Sequence, residues 1–87
     1  MPRISFFYGI AIKMYWDERD HPIPHFHVEY AEHLAAVDLD GEILGGSLPP
    51  RVLRFVRDWC ALHREELLAN WQRARDHQPL EQIEPLS

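Results

Sequence analysis

The stretch between Pro50 and Pro79 contains neither glycine nor proline, and no other feature constrains the fold as strongly. Its apolar residues recur at the 3.6-residue spacing of one helix face: Val52, Leu53, Val56, Trp59, Cys60, Leu67, Trp71 and Ala74. Ser47 and Pro49 precede this stretch, as a capping hydroxyl and a first-turn proline often precede a helix. We therefore predict one amphipathic helix over residues 47–78.

A single helix over these residues would be longer than the diameter of the domain to which it belongs. At ~1.5 Å per residue it would be ~40 Å long, whereas a compact domain of this size has a diameter of ~31 Å. The helix is therefore expected to overhang the domain, to bend, or to pack on a second copy of the chain.

The first half of the chain alternates apolar and polar residues, which is the two-residue period of β-strands. The alternating runs span residues 6–16, 25–30, 34–39 and 42–44. The charged, proline-containing segment 17–24 must be a loop, and Asp40-Gly41 is a hairpin signal. We predict an α+β fold in one domain, 1–87: a three- to four-stranded antiparallel meander over residues 1–46, packed against one long C-terminal helix.

The C-terminal residues 79–87 form an extended tail in this prediction, because Pro79 and Pro85 restrict the backbone. The apolar residues of the tail recur every third position: Leu80, Ile83 and Leu86. Side chains of this kind favour burial, so we expect the tail to lie against the sheet or against a partner.

Composition limits the classes of function. Cys60 is the only cysteine, so no intramolecular disulfide can form, which is typical of cytosolic chains. No run approaches the ~18 apolar residues that a membrane span needs. The net charge is −5, although residues 51–77 are locally basic, and an acidic chain disfavours nucleic acid as a partner. We expect a cytoplasmic protein without a membrane partner.

The second alternating run carries the sharpest chemical feature. His25, His27 and Glu29 share one strand face, and all three are residue types that bind divalent metals. His21 and Asp38 could add ligands. The alternative is a merely polar face, on which the histidines pack on loop prolines and bond to the backbone. Phe26, Val28 and Tyr30 face the core if these three residues face away, and a slip of one residue in register would reverse both histidines.

The same face could instead perform acid–base chemistry. His25 or His27 would exchange protons near neutral pH, Lys13 would stabilise an anion, and Tyr15 would orient a substrate. Metal-independent ribonucleases use residues of these types. The alternative is that Lys13 and Tyr15 only form cross-strand pairs with Glu29 and its neighbours.

His63 falls within the apolar stripe of the helix, and Asn70 lies seven residues later on the same side. One interpretation makes His63 a helix-borne base that faces the sheet. The other makes it a core histidine that hydrogen-bonds to a strand or to the tail.

Four segments of the chain together resemble one bacterial family: Tyr8 to Tyr15, Pro24 to Tyr30, Leu62 to Trp71 and Ile83 to Leu86. That family is the domain of unknown function 4160. The resemblance implies a small bacterial cytoplasmic protein, often encoded beside a second small protein in what has been suggested to be a toxin–antitoxin pair. It implies no established activity. The residues that match the family pattern are Tyr15, His25, His27, His63, Asn70 and Trp71.

Two functions follow from these observations. The first is a protein-binding component of a two-protein system, such as a toxin–antitoxin pair, which acts through a sheet edge or the helix and associates with itself or with a small co-encoded protein. The second is a small nuclease-like or metal-dependent enzyme. Its site would contain His25, His27 and Glu29, assisted by Lys13 and Tyr15 and by the helix-borne His63.

Overall fold

The computed structural model describes residues 3–15 and 23–87, and within them the chain forms an antiparallel sheet followed by two helices. The strands are β1 (Arg3–Phe7), β2 (Ile10–Lys13), β3 (His25–Tyr30), β4 (His33–Asp38) and β5 (Ile43–Gly46), and the helices are α1 (Pro50–Leu62) and α2 (Arg64–Arg75). The strands lie side by side in chain order. The α+β class and the meander are confirmed, but the sheet has five strands rather than three to four.

The additional strand arises because the first apolar run is a hairpin and not one strand. Phe7 pairs with Ile10, and the two residues between them, Tyr8 and Gly9, have φ values of 52° and 79°. Two successive positive φ values are typical of the tight turn that joins twisted antiparallel strands. Tyrosine is uncommon at such a position, so the turn was not apparent from the sequence.

Both helices follow the sheet, and α1 covers one face of it. Phe26 and Val28 of β3 are fully buried on this face, as the alternation predicts. Trp59 of α1 lies over them, with its ring centre 5.8 Å from that of Phe26 and 5.5 Å from that of Phe7. The apolar stripe of the helix therefore covers the sheet, as its spacing predicts.

The prediction of one long helix is wrong, because the helix breaks at His63. This residue has φ −124° and ψ 24°, outside the helical region, and it separates α1 from α2. The helix also begins later than predicted: Pro49 is the N-cap residue, and Ser47 instead donates its backbone N–H to the Leu34 carbonyl at 3.2 Å. Bending resolves the mismatch in length, since the molecule extends 33 Å along its longest axis. No described helix is long and apolar enough to cross a membrane.

The tail lies along the outer edge of β1. Ile83 is buried and donates its backbone N–H to the Ile4 carbonyl at 2.8 Å. Leu80 and Leu86 are half-buried against the same core. The tail therefore lies against the sheet, one of the two placements that its apolar spacing predicts.

Cys60 is buried on α1, where its thiol donates a hydrogen bond to the Leu39 carbonyl at 3.0 Å. Burial, and then the negative charges of Asp38 and Asp40, raise the pKa of the Cys60 thiol from 9.0 to about 11. Between these two values the unfolded chain loses the thiol proton while the folded chain keeps it. The free energy of unfolding should therefore fall as pH rises through this range, by up to about 1.4 kcal/mol per pH unit.

Urea denaturation from pH 8 to 11 measures this slope, and Cys60→Ala is its control, because that variant lacks the thiol. The expected result is a shallower loss of stability with pH in Cys60→Ala than in the wild type. Equal slopes in the two proteins would show that burial of Cys60 does not hold its proton.

Candidate functional site

The sheet face opposite α1 carries most of the residues that the sequence singled out. Across four strands, Lys13 pairs with His27, His27 with Ala36, and Ala36 with Gly45. Paired residues of an antiparallel sheet project to the same side. One row of this face therefore has Lys13 and His27 on β2 and β3, followed by the small residues Ala36 and Gly45 on β4 and β5.

A second row on this face has an exposed apolar residue at each end. Phe6 pairs with Ala11, Ala11 with Glu29, and Glu29 with Leu34. The exposed fractions are 64% for Leu34 and 50% for Phe6. Large apolar side chains on a sheet usually face a second layer, so this exposure shows that the helices leave the face uncovered.

A shallow groove of about 320 Å³ runs over this face. Its lining residues come from the β2 end, β3, β4 and β5: Tyr15, His27, Val28, Glu29, Leu34, Ala35, Ala36, Gly45 and Gly46. The small residues lie on β4 and β5, and the larger polar residues lie on the β2 and β3 side. The sequence pattern points to Tyr15, His27 and Glu29 but not to the residues of β4 and β5, because small residues give no chemical signal.

Lys13 and Glu29 form an ion pair on this face, with Nζ and Oε2 2.9 Å apart. The cross-strand alternative for these two residues is therefore confirmed. The pair is partly exposed, and pairs of this kind contribute little to stability.

Four aromatic rings form a continuous row from the groove into the interior. The ring centres are 4.6 Å apart for Tyr15 and His27, 5.1 Å for His27 and His25, and 5.0 Å for His25 and Trp71. Trp71 belongs to α2, so this helix reaches the end of the sheet at which β3 begins. The row connects the open face with the buried side of the second helix.

His25 is only 1% exposed, so of the two orientations that the sequence leaves open the structure has this histidine buried. It is the first residue of β3, where Trp71 covers it. Its Nδ1 lies 2.9 Å from the Ile23 carbonyl oxygen, which can only accept, so Nδ1 carries the proton. His25 is thus a packed histidine in which one ring nitrogen has a fixed role.

The described residues contain no group of three or more His, Cys, Asp or Glu side chains placed to hold a metal ion. Asp38 lies opposite His25 in the register, but its Oδ1 accepts the backbone N–H groups of Asp40 and Glu42, both at 2.9 Å. His21 lies outside the described residues. Metal binding by His25, His27 and Glu29 remains a prediction.

His63 lies on the helix side of the sheet. Its ring centre is 5.6 Å from that of Trp59, and its Nδ1 is 2.7 Å from Oε1 of Glu66. Since Trp59 covers the opposite face from the groove, the structure does not bring His63 to Lys13 or Tyr15. His63 thus packs against the core, as the second interpretation has it, but its hydrogen bond is to Glu66 of α2 and not to a strand or to the tail.

Fold and site together define a small α+β domain in which one sheet face is covered by helices and the other is an open surface. The chain belongs to the family described as Domain of unknown function (DUF4160), whose model matches residues 9–72. This range begins at the β1–β2 turn, so it leaves out β1 and the tail. No curated protein and no solved structure gives a significant match.

Proposed function

We propose that this protein is the protein-binding component of a small two-protein system, such as a toxin–antitoxin pair, and that the open sheet face receives the partner. The observations that carry the proposal are the exposure of Leu34, which lines the groove, and the exposure of Phe6 on the same sheet face. Large apolar side chains left exposed on an uncovered sheet face are typical of a surface that binds a partner.

The composition of the face suits a protein partner. Interfaces concentrate aromatic and apolar anchors at the centre and place satisfied polar groups around them. Here Leu34, Phe6 and Tyr15 supply the anchors. Lys13 and Glu29 supply a polar group beside them, and because they neutralise each other the partner needs no opposite charge at this point.

The small residues of β4 and β5 allow a partner backbone to approach the sheet closely. Ala36 and Gly45 face each other in the register and both line the groove. They lead to the outer edge of β5, where Leu44, Gly45 and Gly46 are exposed. A partner seated in the groove can therefore extend over the end of the sheet, as strand-adding partners do.

Binding explains the arrangement better than catalysis does. The residues of the alternative enzyme site are spread over different environments: His25 is buried, Glu29 is paired with a lysine, and His63 packs on the helix side. A general acid or base must reach the reacting group within hydrogen-bond distance. The partner most consistent with the family resemblance is the small protein encoded beside this one.

Two exposed leucines provide a matched test. Leu34 is 64% exposed on the open face, whereas Leu62 is 69% exposed at the end of α1. Leu34→Glu should weaken binding of the co-encoded protein by at least ~30-fold, the equivalent of about 2 kcal/mol for an interface anchor. Leu62→Glu should leave the affinity unchanged. Isothermal titration calorimetry measures both.

The contrary results are equally clear. A loss of affinity in Leu62→Glu with none in Leu34→Glu would move the interface to the helices. If the wild-type protein does not bind the co-encoded protein, the proposal is wrong. Circular dichroism spectra of the two variants verify that each retains the fold.

A further inference from the structure

The four glycines of the chain all lie within the described ranges, and Gly45 is the one that the fold does not explain. Gly9, Gly41 and Gly46 have φ values of 79°, 87° and 80°, in the left-handed region that glycine adopts at no steric cost. The φ of Gly45 lies outside that region. The backbone conformation at position 45 therefore does not require glycine.

The surroundings of Gly45 do not require glycine either. A Cβ atom built on Gly45 would have no heavy atom within 4 Å. At the neighbouring Gly46, by contrast, a Cβ atom would collide with the carbonyl oxygen of Leu34. Two adjacent glycines thus differ: Gly46 is fixed by the fold, whereas the fold has room for a side chain at position 45.

The irregular pairing of β4 with β5 does not account for Gly45. Ile43 and Gly45 both have partners on β4, and Leu44 is the extra residue between them. A bulge of this kind requires glycine only where the backbone is left-handed, which does not apply at position 45. A strand glycine without such a role weakens its strand, and it often marks a place where a ligand or another backbone comes close.

The missing side chain would stand in the groove of the open face. Gly45 lines that groove and pairs with Ala36, which in turn pairs with His27. Paired residues project to the same side of a sheet, so a side chain at position 45 would project over the open face. The row beyond His27 therefore has only one methyl group above the backbone, and the groove is open toward β5.

We propose that Gly45 determines which partner the open face accepts, because the main chain of the bound partner lies directly over it. This inference rests on the proposed function. It adds that an extended segment of the partner crosses β4 and β5 along the row of Ala36 and Gly45. Leu34 lies two residues from Ala36 on the same strand face, 64% exposed, and flanks this segment. A backbone in contact with the Cα atom of glycine leaves no room for a Cβ atom.

Two alanine variants test whether Gly45 is free of a structural role. In urea denaturation the midpoint of Gly45→Ala should equal or exceed that of the wild type, because alanine restricts the unfolded chain and meets no neighbour in the folded one. Gly46→Ala should unfold at a lower urea concentration, because of its positive φ and the collision with Leu34. A fall in Gly45→Ala as large as in Gly46→Ala would show that Gly45 is structural and would overturn the proposal.

Calorimetric titration with the small co-encoded protein tests recognition. Gly45→Ala should bind about tenfold more weakly than the wild type, the equivalent of about 1.4 kcal/mol, and Gly45→Leu more weakly still. Ala61→Leu, which enlarges an exposed residue of α1, is the matched control and should bind like the wild type.

The remaining outcomes separate this inference from the proposed function. If the wild type binds the co-encoded protein and Gly45→Ala binds it equally well, the main chain of the partner does not lie over Gly45, and only this inference is wrong. If the wild type does not bind it, the proposed function is wrong and this inference is wrong with it.

Discussion

Replacement of Trp59 by alanine is expected to lower the free energy of unfolding by about 3–5 kcal/mol, the usual cost of removing a large buried aromatic side chain. Trp59 is fully buried, contacts Phe7 and Phe26 of the sheet, and donates to the Glu84 carbonyl of the tail. It thereby joins helix, sheet and tail. Because domains of this size are stabilised by only about 5–15 kcal/mol, urea denaturation should show a large fall in the midpoint.

A pair of phenylalanine variants separates the hydrogen bond of Trp59 from its packing. Trp59→Phe loses the bond to Glu84, which is worth about 1 kcal/mol. Trp71→Phe loses none, since the indole nitrogen of Trp71 has no partner within the part of the chain that the structure describes. Trp59→Phe should therefore be the more destabilising of the two. The reverse order would contradict the role of Trp59 in holding the tail.

His25→Ala is expected to cost about 2–3 kcal/mol of stability, whereas His27→Ala should cost less than about 1 kcal/mol. His25 is buried against Trp71 and donates to the Ile23 carbonyl, so its removal leaves a gap and an acceptor without its donor. His27 lies half-buried in the groove. Chemical denaturation of the two single variants gives the comparison.

The comparison also separates structural from functional histidines. If His25→Ala proves as mild as His27→Ala, then His25 is not part of the core and the interpretation of both residues as a surface pair regains support. If only His25→Ala strongly lowers the free energy of unfolding, then a loss of function after replacement of both His25 and His27 would reflect unfolding as well as the loss of the imidazole groups.

Alternation along the chain predicts much of the sheet. Phe26 and Val28 are buried against α1, and Lys13, His27 and Glu29 share the opposite face, because a strand reverses its side chains at every residue. The spacing of Ile83 in the tail likewise predicts its burial. Each of these inferences depends only on local period and on the preference of apolar groups for the interior.

Two breaks in regular structure are not predictable in the same way. The turn at Tyr8 has an atypical residue at a positive φ. The helix break at His63 falls inside an apolar stripe that continues from Cys60 to Leu67 with the same helical phase. At the first turn Gly9 follows this residue, but at the helix break neither glycine nor proline is present, so tertiary packing determines where the helix ends.

The candidate site also combines features that the sequence predicts with features that it does not predict. Alternation places Lys13, His27 and Glu29 together, but the burial of His25 depends on where Trp71 of α2 crosses the end of the sheet. The contribution of Leu34 and Gly45 depends on the order of the strands and on which face the helices cover. These are long-range properties of the fold, and a single strand does not encode them.

The most direct test of the open sheet face as a binding surface is hydrogen exchange of the full-length protein, with and without the small co-encoded protein. Added protection is expected in residues 34–36 and 43–46 and in the segment around His27, with no change over the exposed side of α1. Protection confined to residues 50–62, with β4 and β5 unchanged, would contradict this expectation and place the partner on the helices.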